Sequence, residues 1–275
     1  MRICLLLIGL ALPAVDTAQA AHTNNILLTG YWPPTNNMIR KFSTNPEQNP
    51  NGWKGENWDD SGYDVHSYFP EFPNGVGQGE GDLEVDSQDP SEDFWRIVEE
   101  VRPVAIITFS RGFNDNSWEI EKLQRNLDTW IDDYEAPFQP TVSPPEQDQP
   151  AGFVRESSLP MGMIRRAVDD EPDLNVDARI DRTGFGGGFL SEYIAYHGVW
   201  YQSLHADPSD DYYTVAAGHI HVGQQVTRAN GRRATELTLG VLTDYLDTQL
   251  PEPGTAMLLG STMLLALRRR GVAEN

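Results

Sequence analysis

The chain reads as an α/β protein. It is a three-layer sandwich in which a mostly parallel, twisted sheet carries helices on both faces. Three observations predict this. Residues 104–109 form a continuous apolar run, as a strand buried on both faces requires. Residues 177–181 read as a strand that feeds a glycine turn and then a helix over 190–204. Strand-like and helix-like segments also alternate along the chain, the pattern of strands joined by helical crossovers.

Each element has its own reason. Residues 26–29 are the first strand, ended by the turn Gly30-Tyr31-Trp32-Pro33-Pro34. Residues 43–62, rich in Asn, Pro, Gly and Trp, read as an extended surface loop. Residues 63–69 alternate apolar and polar side chains and read as a second strand. A Gly-, Glu- and Asp-rich loop covers 73–91, and helical spacing over 94–101 stops before Pro103. Residues 136–152, with five prolines, are another loop, and 161–168 a helix. Apolar or aromatic residues at 190, 193, 194, 197, 200, 201 and 204 give the next helix one packed face. Residues 213–222 are a strand, and 235–248 the last helix. No internal repeat is present.

The ends read as targeting segments. Residues 1–20 combine Arg2, a short apolar run and the small-x-small site Ala18-Gln19-Ala20, as a secretory signal does. Residues 251–275 begin Pro251-Glu252-Pro253, continue through a dozen apolar residues and end in Arg268-Arg269-Arg270. This tail resembles the PEP-CTERM sorting signal of exported bacterial proteins. The resemblance implies an exosortase-type processing enzyme, membrane association only through the tail, and a place in the cell envelope or on the extracellular surface of a bacterium. The domain proper is then 21–250. The only cysteine, Cys4, falls in the signal, so the exported domain would carry no thiol to oxidise.

Charge excludes one class of partner. Residues 21–250 hold 38 acidic against 16 basic side chains, a balance of −22, with lysine only at positions 41, 54 and 122. Such a surface repels nucleic-acid phosphates and anionic membranes. It suits a salty environment, where screening softens self-repulsion.

The candidate chemistry lies at the glycine turn. Ser191 follows Gly186-Gly187-Gly188-Phe189-Leu190 and opens a helix. Free backbone N–H groups and the helix dipole there favour a nucleophile and the oxyanion it creates. A serine near a helix start is also commonly no more than a cap. His219 and His221 alternate on one strand and share a face. They read as a general base near Ser191, as a pair of metal ligands, or as structural residues. Glu121 reads locally as a solvated surface glutamate; alternatively its carboxylate orients a histidine as the third member of a nucleophile–base–acid set.

Together these stretches resemble the pyroglutamyl peptidase I (pyrrolidone-carboxylate peptidase) family of cysteine peptidases. The segments that carry the resemblance occur in the family's order. They are Ile26-Leu27-Leu28-Thr29-Gly30-Tyr31 with Pro33, Asn45-Pro46, Arg102-Pro103-Val104-Ala105-Ile106-Ile107, Ile120-Glu121-Lys122 with Asn126, Ser157-Ser158-Leu159-Pro160, Gly188 with Leu190-Ser191-Glu192-Tyr193, and Gly218-His219-Ile220-His221-Val222. The resemblance implies a phosphorylase/hydrolase-like fold, and Glu121, Ser191 and His221 as the catalytic set. It also implies Tyr31 and Trp32 as substrate-binding residues, with a peptide N-terminus or a small molecule as substrate. Neither a metal nor another cofactor is expected.

The departures bear on activity. Ser191 stands where the family has cysteine, and Glu192 where it has asparagine. An arginine that the family carries after the glutamate is replaced near Trp130. A hydroxyl needs its proton removed in step with attack, whereas a thiol ionises near neutrality. Glu192 is expected to add negative charge at the oxyanion. The readings are therefore an exported hydrolase acting on N-terminal pyroglutamate or a related cyclic amide, an inactive surface-anchored binding protein on the same fold, and a metal-dependent hydrolase using His219, His221 and nearby carboxylates.

Overall fold

A computed structural model describes residues 22–184 and 187–250. The predicted signal segment and sorting tail therefore lie outside the described residues, as do Phe185 and Gly186 of the glycine turn. Among the described residues no helix is long and apolar enough to cross a membrane.

Six strands form the main sheet: β1 (Asn25–Thr29), β2 (Asp64–Tyr68), β3 (Ala105–Arg111), β4 (Ser117–Glu121), β7 (Asp177–Asp181) and β8 (Ala216–Val222). Their spatial order is β2-β1-β3-β8-β4-β7. The first four are parallel, β4 runs antiparallel to β8, and β7 is parallel to β4. A separate antiparallel pair joins β5 (Leu123–Asn126) to β6 (Phe153–Glu156).

Helices cover both faces, as the sequence predicts. On one side α1 (Thr35–Ile39), α3 (Met161–Asp169) and α5 (Arg228–Gln249) close a core around Ile107, Phe109, Trp118, Ile120, Ile220 and Val222. On the other, α2 (Gln88–Val101) and α4 (Leu190–Leu204) close a core around Leu27, Ile106 and Ala217. The alternation of side chains along each strand assigns odd and even positions to different layers.

The element expectations need three adjustments. Residues 117–121 form a fully buried strand in the main sheet, so Glu121 is not the solvated surface glutamate of its local reading. The acidic loop gives way to helix at Gln88, because the Asp86 carboxylate accepts from the Gln88 and Asp89 backbone N–H groups and starts the turn. The last helix begins at Arg228, where Thr227 accepts the Asn230 backbone N–H.

The position of the site follows from topology. The chain passes from β1 outward to β2, then back across β1 to β3, so the sheet order reverses beside β1. Crevices at the carboxyl ends of strands beside such a switch point are where α/β sheets bind ligands.

Candidate active site

Register builds the site. On the α4 side of the sheet, four strands place polar side chains in two cross-strand rows. One row runs Thr108, His219, Glu121, Asp181, and the next Ser110, His221, Glu119, Arg179. Neighbours in a row stand close enough to interact directly, and diagonal neighbours remain within reach of long side chains.

The bonds follow those rows and diagonals. His221 Nδ1 lies 2.8 Å from Glu121 Oε1, a diagonal pair whose two side chains are only 10% and 4% exposed. Burial pushes the Glu121 carboxyl above its ordinary range, and the hydrogen bond from His221 opposes that shift. With Nδ1–H given to Glu121, the His221 Nε2 lone pair is left to accept a proton. Glu121 Oε2 is buried with no hydrogen-bond partner among the described residues. Glu119, expected nowhere in the site, accepts from Arg179 Nε at 3.0 Å. Gly112 lets β3 leave the sheet beside His221: a Cβ there would lie 3.2 Å from the His221 Cβ.

His219 has a different role. Its ring nitrogens sit 2.8 Å from Thr108 Oγ1 and 2.8 Å from Ser110 Oγ, and it is fully buried. Burial, and then His221 beside it, hold it well below the ordinary imidazole range, so it is neutral. Its ring meets that of His221 edge to face at 4.6 Å. The two histidines share a face as expected, but hydroxyls occupy both His219 nitrogens. The proposed His219–His221 metal half-site is therefore not formed. Among the described residues, those that could hold a cation are Glu119, Glu121 and His221, whose ligand atoms lie within 4.8 Å of one another.

Ser191 arrives from the opposite layer. It is the second residue of α4, after a turn in which Gly187 (φ +88) and Gly188 (φ +71) adopt left-handed backbone. Side chains resist that conformation, which is why the turn is written in glycine. The backbone N–H of Ile131 anchors it on the Gly188 carbonyl at 2.8 Å.

All five expected site residues come together. Ser191, Glu121 and His221 line a cavity of about 300 Å³ with Arg111, Glu119 and Asp181. Ser191 also lines a smaller cavity, about 60 Å³, with Tyr31, Trp32, Arg111, Phe189 and Leu190. Its aromatic wall is a stack. The Trp32 and Phe189 rings lie 6.0 Å apart and 25° from parallel, and the Arg111 guanidinium sits 5.0 Å from the Trp32 centroid. Trp32 is fixed by its indole N–H, which donates to the Gly77 carbonyl at 2.8 Å.

The structure places two residues at which the chain departs from the family pattern. Glu192 has a partner inside the fold. It is buried, and its Oε1 accepts the Arg125 backbone N–H at 2.6 Å, tying α4 to β5. Trp130 packs edge to face on Tyr193 at 5.1 Å and donates to Ser143 Oγ; it lines neither cavity. Sequence reasoning missed Arg111, Glu119, Asp181 and Phe189. The alternation of Glu119 with Glu121 was a usable signal. The arrival of Arg111 at Ser191 depends on where β3 lies relative to α4, which no local pattern encodes.

The chain matches no family model and no curated protein sequence. Solved structures do resemble it. Pyrrolidone carboxyl peptidase from Thermococcus litoralis superposes with a TM-score of 0.58 at 18% identity, covering 83% of this chain and 99% of that one. A mutant pyrrolidone carboxyl peptidase from the hyperthermophile Pyrococcus furiosus gives 0.57 at 17% identity, with 81% and 99% covered. Pyroglutamyl peptidase I from Bacillus amyloliquefaciens gives 0.56 at 14%, with 80% and 97% covered. At these identities the likeness establishes the fold, and the chemistry must be argued from the side chains.

Proposed function

We propose that this chain is an exported hydrolase of the pyroglutamyl-peptidase type, removing N-terminal pyroglutamate or acting on a related small cyclic amide, with Ser191 as nucleophile. The observation that carries the reading is the buried Glu121–His221 pair sharing one cavity with Ser191 at a helix N-terminus. The likeness to pyroglutamyl peptidase structures supports the same class.

The roles follow from the chemistry. The Ser191 hydroxyl adds to the amide carbonyl carbon and passes its proton to His221 Nε2. Glu121 holds the imidazole in the tautomer with Nδ1–H and stabilises the imidazolium that forms. The tetrahedral intermediate collapses, and the amine leaves with the proton from His221. Water repeats the cycle on the acyl-serine and releases the acid. The small cavity of Tyr31, Trp32 and Phe189 suits a compact, flat acyl group, and the larger one suits the departing chain. The signal and tail motifs support processing by an exosortase-type enzyme and placement at the cell surface.

A pyroglutamyl reporter amide tests the reading on the chain, on Ser191→Ala and on Ser191→Cys. The expected result is hydrolysis that alanine abolishes and cysteine retains or raises. Silence in the wild type with activity in the cysteine variant would point to the alternative, a surface-anchored binding protein that keeps the fold without its nucleophile. Silence in all three removes the peptidase reading. Chelator-sensitive activity that survives Ser191→Ala would move the chemistry to a cation held by Glu119, Glu121 and His221.

A further inference from the structure

Arg111 and Ser191 are the two residues that line both cavities of the site. A substrate whose acyl part fills one cavity and whose leaving part fills the other has its scissile carbonyl at that junction. That carbonyl therefore lies beside both Ser191 and Arg111.

Three further observations say what Arg111 is for. Carboxylates are abundant in this chain, and Arg40, Arg96, Arg155, Arg165, Arg179 and Arg233 each hold one. Among the described residues Arg111 pairs with no carboxylate; it is held instead over the Trp32 ring. A stacked guanidinium keeps its in-plane N–H donors open to an anion. The larger cavity, moreover, is lined by Glu119, Glu121 and Asp181. Their field opposes negative charge on a reacting oxygen, and among the described residues Arg111 is the one permanently cationic side chain lining either cavity.

We propose that Arg111 is a catalytic residue of this site and its anion-binding group. It receives the carbonyl oxygen as the C=O electron pair moves onto it during attack by Ser191, and afterwards holds the carboxylate of the released acid. The role of the oxygen's partner rests on the hydrolase reading above; the carboxylate site does not.

The test has an activity arm and a binding arm, both on the full chain. With the reporter amide, Arg111→Ala should lower kcat by about a hundredfold or more and change KM by less than about threefold, as for an interaction made mainly in the transition state. Arg111→Lys should recover part of the loss. In titration calorimetry, 5-oxoproline as its carboxylate should bind the wild type at least about tenfold more tightly than its neutral primary amide. That preference should shrink with added salt and vanish in Arg111→Ala. Circular dichroism checks that both variants fold. If the wild type is silent on the reporter but the carboxylate preference is present and depends on Arg111, the hydrolase reading fails and the anion site stands. If the wild type is active and Arg111→Ala keeps more than half of kcat, the proposal is overturned and the hydrolase reading stands. Absence of any carboxylate preference in the wild type also overturns it.

Discussion

The two faces of the central sheet are built from the same strands and do opposite work. Toward α3 and α5, β3, β8, β4 and β7 present Ile107, Phe109, Ile220, Val222, Trp118, Ile120 and Ala178, all buried and apolar. Toward α4 the intervening positions present Thr108, Ser110, His219, His221, Glu119, Glu121, Arg179 and Asp181. A period of two lets one strand serve both purposes without compromise. The apolar face stabilises by removing area from water. The polar face is tolerable because most of its members bond to one another, and those bonds fix the geometry a reaction needs.

The sharpest way to separate the faces is to remove charge from the polar one while keeping its shape. Glu121→Gln leaves the volume of the buried partner of His221 unchanged but offers the imidazole no carboxylate. Hydrolysis should fall on the order of 10³–10⁴-fold, with the melting temperature moved by only a few degrees. Reporter kinetics beside a thermal melt read both quantities. Activity within tenfold of wild type would mean that the pair does not organise the chemistry.

The mirror-image change is Trp118→Ala. Trp118 is fully buried and packs on Phe109 at 5.6 Å between ring centroids. Removing it should cost about 3–5 kcal/mol, through lost burial and the cavity left behind. Urea unfolding measures the loss. In conditions where the variant remains folded, kcat should stay within a few-fold of wild type, because Trp118 lies on the face away from His221.

This division explains what could be read without coordinates. The turn with Ser191 and the strand with His219 and His221 are local in sequence, and both were legible. So was the order of most elements, because apolar runs and helical spacing are local signals. Glu121 was ambiguous because its burial depends on β4 inserting antiparallel beside β8, a pairing between residues about a hundred positions apart. Glu119, Asp181 and Arg179 enter the site through cross-strand register alone. The bond made by Glu192 is non-local for a related reason. Its neighbour in sequence is Ser191, but its Oε1 accepts from the Arg125 backbone on β5.

Acid should loosen one side of the sheet first. His197 on α4 is buried beneath α2, between the Tyr193 carbonyl at 2.8 Å and Ser91 Oγ at 3.1 Å, and burial lowers its pKa to about 4. His219 shifts in the same direction. A folded-state value below the unfolded one means that the unfolded chain binds more protons. The stabilisation is therefore complete above about pH 6.5 and is lost as pH falls toward 4. For His197 alone the loss approaches roughly 3 kcal/mol. Hydrogen exchange at pH 4.5 against pH 7 should show α2 and α4 losing protection before α3 and α5. His197→Gln, which cannot titrate, should flatten the stability profile across that window. An unchanged profile would place the pH sensitivity elsewhere.

The finest comparison uses two adjacent residues of β3. Ile107 points into the apolar core, and the Thr108 hydroxyl is hydrogen-bonded to His219 Nδ1 at 2.8 Å. Ile107→Val removes one methylene and should cost about 0.5–1.5 kcal/mol, with kcat unchanged. Thr108→Val is nearly isosteric, so packing is preserved. It leaves a buried ring nitrogen without its partner, at about 1–3 kcal/mol. Because the His219 ring braces that of His221 at 4.6 Å, kcat should also drop a few-fold. Urea titration and reporter kinetics on the pair decide the matter. If Thr108→Val costs no more than Ile107→Val and leaves kcat untouched, the hydroxyl–histidine row does not brace His221, and the geometry of the Glu121–His221 pair must be held by those two side chains and their own strands.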